Sequence, residues 1–293
     1  VTGTLPPALR ATLLMALSAV ASALQNLLIR VAGDAGIHSF QIAFFRSAFG
    51  FLAIAALAAT MARRIPATSA LRKLGASSLF HLVAMLCFFH GVTLMPLADS
   101  SALTFTAPLF GTLAAAFFLG ERVHARRWVA ILVGFAGVLI VLRPGAVPVG
   151  LGPALVLFST VAFAGVTVLV KRMTATEPTV AVVFYQSLFM TGLTLPAALA
   201  VWKTPDGALL ACLAAMGALS TVGWLAFTRA FALADASALL PIEFVRLPCV
   251  AVLGYLVFAE VPDIWVWVGA VVIFAASLSI AHRENAAARM PRK

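Results

Sequence analysis

Charge is what this chain has least of. Only 10% of its 293 residues are Asp, Glu, Lys or Arg, and the acids number 10. So few charges cannot coat a soluble globule of this size, and that class is excluded. Cysteine is also scarce: Cys87, Cys212 and Cys249 all fall within apolar runs and have no close spacing, which excludes a disulfide framework and a cysteine metal site. The sequence has no Gly-x-x-x-x-Gly-Lys phosphate loop, no His-Glu-x-x-His and no Gly-x-Ser-x-Gly. An enzyme or an ATP-driven pump is therefore not expected, nor any metal or cofactor. A channel would need a ring of like groups, whereas the few charges here are scattered and of both signs.

What the chain has is apolar length. It is 63% hydrophobic, with a mean hydropathy of +1.08. A bilayer core takes roughly 20 apolar residues per helix. Ten such stretches run approximately over 10–32, 39–61, 74–94, 99–119, 127–142, 152–172, 180–202, 208–231, 236–259 and 264–282. They are long, continuous and rich in Ala, Leu, Val and Phe, unlike the alternating ten-residue segments of a membrane β-barrel. The expectation is an all-α integral membrane protein of ten transmembrane helices, the fifth being the shortest. Arg10, the first run and Ala21-Ser22-Ala23 imitate a secretory signal with its cleavage site, but the run continues to Val31, so it is read as a helix that stays.

The net charge of +10 is a topology signal and predicts no nucleic-acid partner. Arg10, then Arg63, Arg64, Arg72 and Lys73, then Arg122, Arg126 and Arg127, then Lys171 and Arg172, Arg229, and finally Arg283, Arg289, Arg292 and Lys293 fall on alternate loops and both termini. The opposite loops carry only Arg30, Arg143 and Lys203. By the positive-inside rule both termini are expected to be cytoplasmic, in a bacterial-type inner membrane.

The segment Leu-Ala-Asp-Ser-Ser-Ala-Leu at 97–103 returns as Leu-Ala-Asp-Ala-Ser-Ala-Leu at 233–239. Each copy lies between the third and fourth apolar run of its half, with its Ser or Asp placed to cap the fourth helix. Phe45-Arg46-Ser47 corresponds to Tyr185-Gln186-Ser187, and Gly120-Glu121 to Ala259-Glu260. Pro108 and Pro248 precede those glutamates by similar spacings, near the middle of each fourth helix, where a proline bends the helix. Two units are expected, 1–146 and 147–293. Five helices per unit is odd, so the halves must be inverted, an architecture of transporters.

These motifs resemble the drug/metabolite transporter superfamily, specifically its ten-helix EamA-type members. The resemblance covers nearly the whole chain. It departs at Ala259, where the family usually has Gly, and at Pro241, a second proline in the ninth helix. It implies a central cavity lined by the first four helices of each half and open alternately to either side, with the fifth and tenth helices peripheral. Family members carry amino acids, other metabolites and drugs.

Charges at bilayer depth cost at least about 2.5 to 3.5 kcal/mol on insertion scales, so they are the first functional candidates. Arg46 lies seven residues into its helix. Glu243 and Arg246, three apart, share a face and are expected to pair. That pair either fixes the ninth helix or, with Arg46, receives the carboxylate and ammonium of a zwitterion. Ser18, Ser22, Asn26 and Arg30 form a stripe on the first helix, Thr160, Thr167 and Lys171 on the sixth, Thr104, Pro108 and Thr112 on the fourth, and Ser220, Trp224 and Thr228 on the eighth. Such stripes face protein or water, for packing or for a ligand. Trp224 lies deep, unlike Trp128, Trp202, Trp265 and Trp267 at the interfaces, and with Tyr185 it is a candidate aromatic wall. His81 and His90, nine apart, point to opposite faces. His90 is taken as the cavity group and proton carrier, against a structural role.

The candidate substrate-binding set is Asn26, Arg46, His90, Thr104, Tyr185, Gln186, Trp224, Thr228, Glu243 and Arg246. The expected function is a secondary transporter of small polar metabolites, exporting amino acids. The alternative is a drug or cation exporter of the same fold. Homodimerisation through the fifth and tenth helices would use Gly134 and Gly137, which serve internal packing equally well.

Overall fold

The structure is a computed structural model. It describes residues 6–62, 68–107, 109–110, 125–143, 150–174, 176–234, 239 and 242–288. Ten helices appear among them: α1 (Pro7–Asp34), α2 (Ser39–Ala62), α3 (Leu71–Thr93), α4 (Leu97–Thr104), α5 (Ala125–Leu142), α6 (Leu151–Thr174), α7 (Thr179–Leu199), α8 (Gly207–Leu233), α9 (Arg246–Phe258) and α10 (Ile264–Ala288). Six of these, α1 to α3 and α6 to α8, are long and apolar enough to cross a membrane. The outward belt is apolar, as a lipid-facing surface must be: Leu52, Leu132 and Leu256 are 59%, 66% and 71% exposed.

Helix starts follow local chemistry. Pro7 stands in the first turn of α1, where its missing N–H costs nothing. Asp206 caps α8 by accepting from the Leu209 N–H at 2.8 Å. The expected cap on α4 is different: Pro96 precedes it without a side-chain bond, and Asp99 sits within the first turn. The free N–H of Leu97 is instead held at 3.0 Å by Glu260 Oε2, from the end of α9. A carboxylate at a helix N-terminus is favoured by the helix dipole, so this cap crosses between the halves.

The fourth helix of each half is not continuous, contrary to the single spans expected from hydropathy. In the first half, helix gives way to a turn at Phe105 and Thr106, just ahead of Pro108 in sequence. In the second it does so at Phe244 and Val245, ahead of Pro248. A proline cannot donate to the carbonyl four residues back. Tighter bonds replace those lost, such as Phe105 N–H to Ala102 O at 3.2 Å and Leu247 N–H to Phe244 O at 3.1 Å. Pro108, Thr112, Gly120, Glu121, Asp235 and Pro241 lie outside the described residues, as does the side chain of Lys171.

The most extensive contacts are α3 with α6, α1 with α8, α5 with α10 and α2 with α7. Exchanging α1–α5 with α6–α10 leaves that set unchanged, as a twofold relation between halves requires. Three crossings are glycine-lined. At α5–α10, a Cβ on Gly137 would lie 3.0 Å from Gly269 O, and one on Gly269 would lie 2.7 Å from Gly137 O. Gly134 faces Leu109. Both glycines named for a dimer are therefore spent inside one chain, and neither offers a surface to a second copy.

Ala259 ends α9 in the left-handed region, at φ 54°. An L side chain there costs about 1–2 kcal/mol, which is why glycine is the usual choice. Ala259→Gly is therefore expected to raise stability by about 0.5–1 kcal/mol once the greater unfolded-state freedom of glycine is subtracted. Thermal unfolding in detergent checks this; a lower midpoint would contradict the strain argument.

Candidate substrate cavity

Four helices, two from each half, line one narrow opening. Arg46, Ser47 and Gly50 reach it from α2, His81 from α3, Gln186, Ser187 and Met190 from α7, and Ser220, Thr221 and Trp224 from α8. The paired Arg46-Ser47 and Gln186-Ser187 of the sequence thus meet at one place, one from each half.

Arg46 donates from Nε to Gln25 Oε1 at 3.2 Å and from Nη1 to Met85 Sδ at 3.1 Å, and its guanidinium lies 5.8 Å from the Phe89 ring centroid. Neither an amide oxygen nor a thioether carries a countercharge. Arg30 pairs with Asp34 at 3.4 Å and Glu260 at 3.8 Å, Arg143 with Asp263 at 2.8 Å, and Arg246 with Glu243 at 3.7 Å. Arg46 has no carboxylate partner among the described residues. Across the opening, Gln186 Nε2 lies 3.3 Å from Ser77 Oγ and 3.2 Å from His81 Nδ1. Trp224 stacks on Phe227 with ring centroids 5.1 Å apart at 9°, and approaches His81 at 5.1 Å.

His81, and not His90, faces this opening. The two histidines do point apart, but His90 is engaged at the end of α3. Its Nδ1 lies 3.1 Å from Ser39 Oγ, and its ring stacks on His38 at 5.6 Å. Burial, and then the like charge of His90, hold the loop residue His38 below its ordinary pKa. Tyr185 is half-buried, perpendicular to Phe184 at 5.3 Å, and packs with Trp224 among apolar side chains rather than lining the cavity. Thr228 is fully buried on α8, its hydroxyl without a partner among the described residues.

Glu243 and Arg246 pair as expected, across the second helix break, and neither is among the residues that line the Arg46 opening. Arg246 Nη2 donates to Thr104 Oγ1 of the opposite half, and its guanidinium lies 5.3 Å from the Phe105 centroid. Phe105 and Phe244, one from each break, meet with ring centroids 5.2 Å apart and planes tilted by 34°. Asn26 Nδ2 donates to Ser101 Oγ at 3.3 Å and fastens α1 to α4. Sequence reasoning missed His81, Gln25 and Met85 as neighbours of Arg46. A signal for His81 was present, since its opposition to His90 left one of the two facing inward.

Contacts also sort the loops by end. Gln41 Oε1 accepts from Lys203 N–H at 3.0 Å, and Arg143 joins Asp263, tying together loops expected on one face. Glu177 accepts from Ser69 Oγ at 2.8 Å, joining two loops expected on the other. Hydrogen bonds from Ser69, and then Thr68, keep the Glu177 carboxyl below its ordinary pKa.

The model of the EamA-like transporter family matches twice, over residues 9–143 and 150–281. The chain is 29% identical over 279 residues to an S-adenosylmethionine uptake transporter of Rickettsia felis, covering 94% of this chain and 93% of that one. It is 34% identical over 205 residues to a riboflavin transporter of Rhizobium johnstonii, covering 69% and 67%. A protein of known crystal structure superposes with a TM-score of 0.63 at 16% identity, over 96% of this chain and 99% of the other, which speaks to fold alone.

Proposed function

Because the chain belongs to the EamA-like transporter family, we propose that this membrane transporter is a secondary carrier of small metabolites that bear an amino-acid end. The observation that carries this reading is Arg46, a guanidinium lining a central cavity with no carboxylate partner among the described residues. A substrate carboxylate supplies the missing charge. The relative named for S-adenosylmethionine supports this class, since that molecule joins an adenosine to a methionine. Alternating access follows from two pseudo-equivalent halves, with substrate binding shifting the balance between two packings. The charge asymmetry of the loops supports an inner-membrane placement with both termini cytoplasmic. Amino-acid export is the narrower form of the reading. The cation-exporter alternative is disfavoured, because a simple cation entering this cavity meets Arg46 without a described acid to offset it.

Uptake into proteoliposomes of labelled methionine, lysine, S-adenosylmethionine, riboflavin and tetraphenylphosphonium, with and without a proton gradient, tests the substrate class. Vesicles of defined orientation read its direction. Arg46→Ala is expected to cut transport of amino-acid-bearing substrates by about 30-fold or more, the loss of a charge-assisted contact worth about 2 kcal/mol or more. Arg46→Lys is expected to recover part of it. Transport of tetraphenylphosphonium without any amino-acid substrate, or full activity in Arg46→Ala, would overturn the proposal.

A further inference from the structure

We infer that Arg30 and Glu260 form a clasp that closes the end of the bundle expected to face outward, and that this clasp parts when that end opens. Arg30 reaches from α1 to the end of α3, where its Nη1 donates to Met95 O at 2.7 Å and to Val92 O at 3.3 Å. A cation among the last carbonyls of a helix is favoured by their partial charge. Glu260, from the end of α9, accepts the Leu97 N–H of α4 at 3.0 Å with Oε2, and its Oε1 lies 3.8 Å from Arg30 Nη2. The two side chains thus cap both helices that meet at the turn 94–96, and they pair with each other. Arg30, Met95 and Leu97 all belong to the first half, so Glu260 is the polar tie from the second half to this turn among the described residues. The Arg143–Asp263 pair also joins the halves at this end, but it flanks the α5–α10 crossing, where Gly137 and Gly269 keep the helices in tight contact.

The clasp is built to release. The Arg30 and Glu260 side chains are each 22% exposed, so water reaches both. When Glu260 withdraws, Arg30 keeps Asp34 at 3.4 Å together with the two α3 carbonyls, and the Leu97 N–H can turn to water. No charge is stranded. The repeat supplies the second state. At Leu97 the heptapeptide starts α4, whereas at Leu233 its second copy ends α8 and Ala234 is extended, at φ −146° and ψ 163°. One segment therefore holds two conformations in one chain, and a change of packing that exchanges the roles of the halves gives each copy the form of the other. In sequence, Lys171 stands to Ser159 and Thr167 as Arg30 does to Ser18 and Asn26, and Glu121 matches Glu260. The clasp rests on the alternating access of the function proposed above and not on the substrate.

Amide hydrogen exchange of the full chain in nanodiscs, read by mass spectrometry, tests this. Glu260→Ala is expected to speed exchange in the peptide covering 94–104 by about fivefold or more. It is also expected to slow exchange at the opposite end, in peptides covering 68–78 and 225–234, by about twofold or more, as the population moves to the other packing. Glu260→Gln keeps an acceptor for the Leu97 N–H and loses the charge that draws Arg30, so it is expected to fall between wild type and Glu260→Ala; it decides the matter if Glu260→Ala does not fold. Arg30→Gln is expected to act in the same direction. Faster exchange at 94–104 with no added protection at the opposite end would mean a static brace and would overturn the clasp, as would unchanged exchange at 94–104. Reciprocal exchange at the two ends in a protein that carries no amino-acid-bearing substrate would instead sink the substrate reading and leave the clasp standing.

Discussion

Gly217→Leu is expected to abolish the folded transporter. At the crossing of α2 and α8, a Cβ built on Gly217 falls 2.4 Å from Phe49 Cβ, 2.8 Å from Gly50 N and 2.9 Å from Phe49 C. Two of these neighbours are backbone atoms, so no rotamer change makes room. Even Gly217→Ala must push the helices apart, at a cost of about 1–3 kcal/mol for overpacking. Leucine adds three more carbons. The same crossing positions Thr221, which donates to Gly50 O at 2.9 Å, and both residues line the central cavity. Association of helices in lipid relies on close packing and interhelical hydrogen bonds rather than on water expulsion, so nothing else compensates. Gly192→Ala on α7 is the control, because its added Cβ meets nothing within 4 Å. There the gain in helix propensity is expected to stabilise by about 0.5–1 kcal/mol. Size-exclusion profiles and thermal unfolding separate these outcomes; a monodisperse Gly217→Leu protein melting like the wild type would contradict the packing argument.

Ten apolar runs and one repeated heptapeptide make the architecture legible in the sequence, because bilayer thickness and loop charge act on stretches of chain and leave marks in composition. The rotation of each helix was less visible. In a soluble protein the polar face marks the outside, but here Leu52 faces outward and Leu74 inward with the same chemistry, and lipid and core are equally apolar. Only polar residues report direction, and they report it without naming a neighbour. Arg46, Gln186 and Trp224 were recognisable as inward-facing, whereas the choice between His81 and His90 turned on which face of α3 meets α7 and α8. Long-range pairings were hidden for the same reason. Glu260 stood out in the sequence as half of a repeated helix end, but its bond to the Leu97 N–H spans 163 positions and depends on the left-handed turn at Ala259. Likewise, Pro108 and Pro248 signalled bends, while the meeting of the two breaks through Phe105 and Phe244 follows from how the halves pack.

At that meeting point, Arg246→Met is expected to destabilise the protein by about 3–5 kcal/mol, the usual consequence of leaving one member of a buried ion pair uncompensated. Glu243 and Arg246 are only 17% and 16% exposed. They bridge the turn at Phe244 and Val245, so the pair staples the interrupted helix across its break. Removing the arginine also takes from Thr104 the donor that ties the second half to the first. Glu243→Gln is expected to cost less, about 1–3 kcal/mol, because Arg246 keeps the Thr104 hydroxyl and the Phe105 ring while its new neighbour is neutral. The double variant Glu243→Gln, Arg246→Met removes both charges and is expected to be more stable than Arg246→Met alone, a coupling that thermal unfolding of all four proteins measures as a cycle. Transport then separates the two roles left open by the sequence. If the pair only braces the break, the double variant carries substrate near the wild-type rate. If it takes part in the exchange of packings, the double variant folds and binds but does not transport. Equal stability of wild type and Arg246→Met would show that the pair braces nothing.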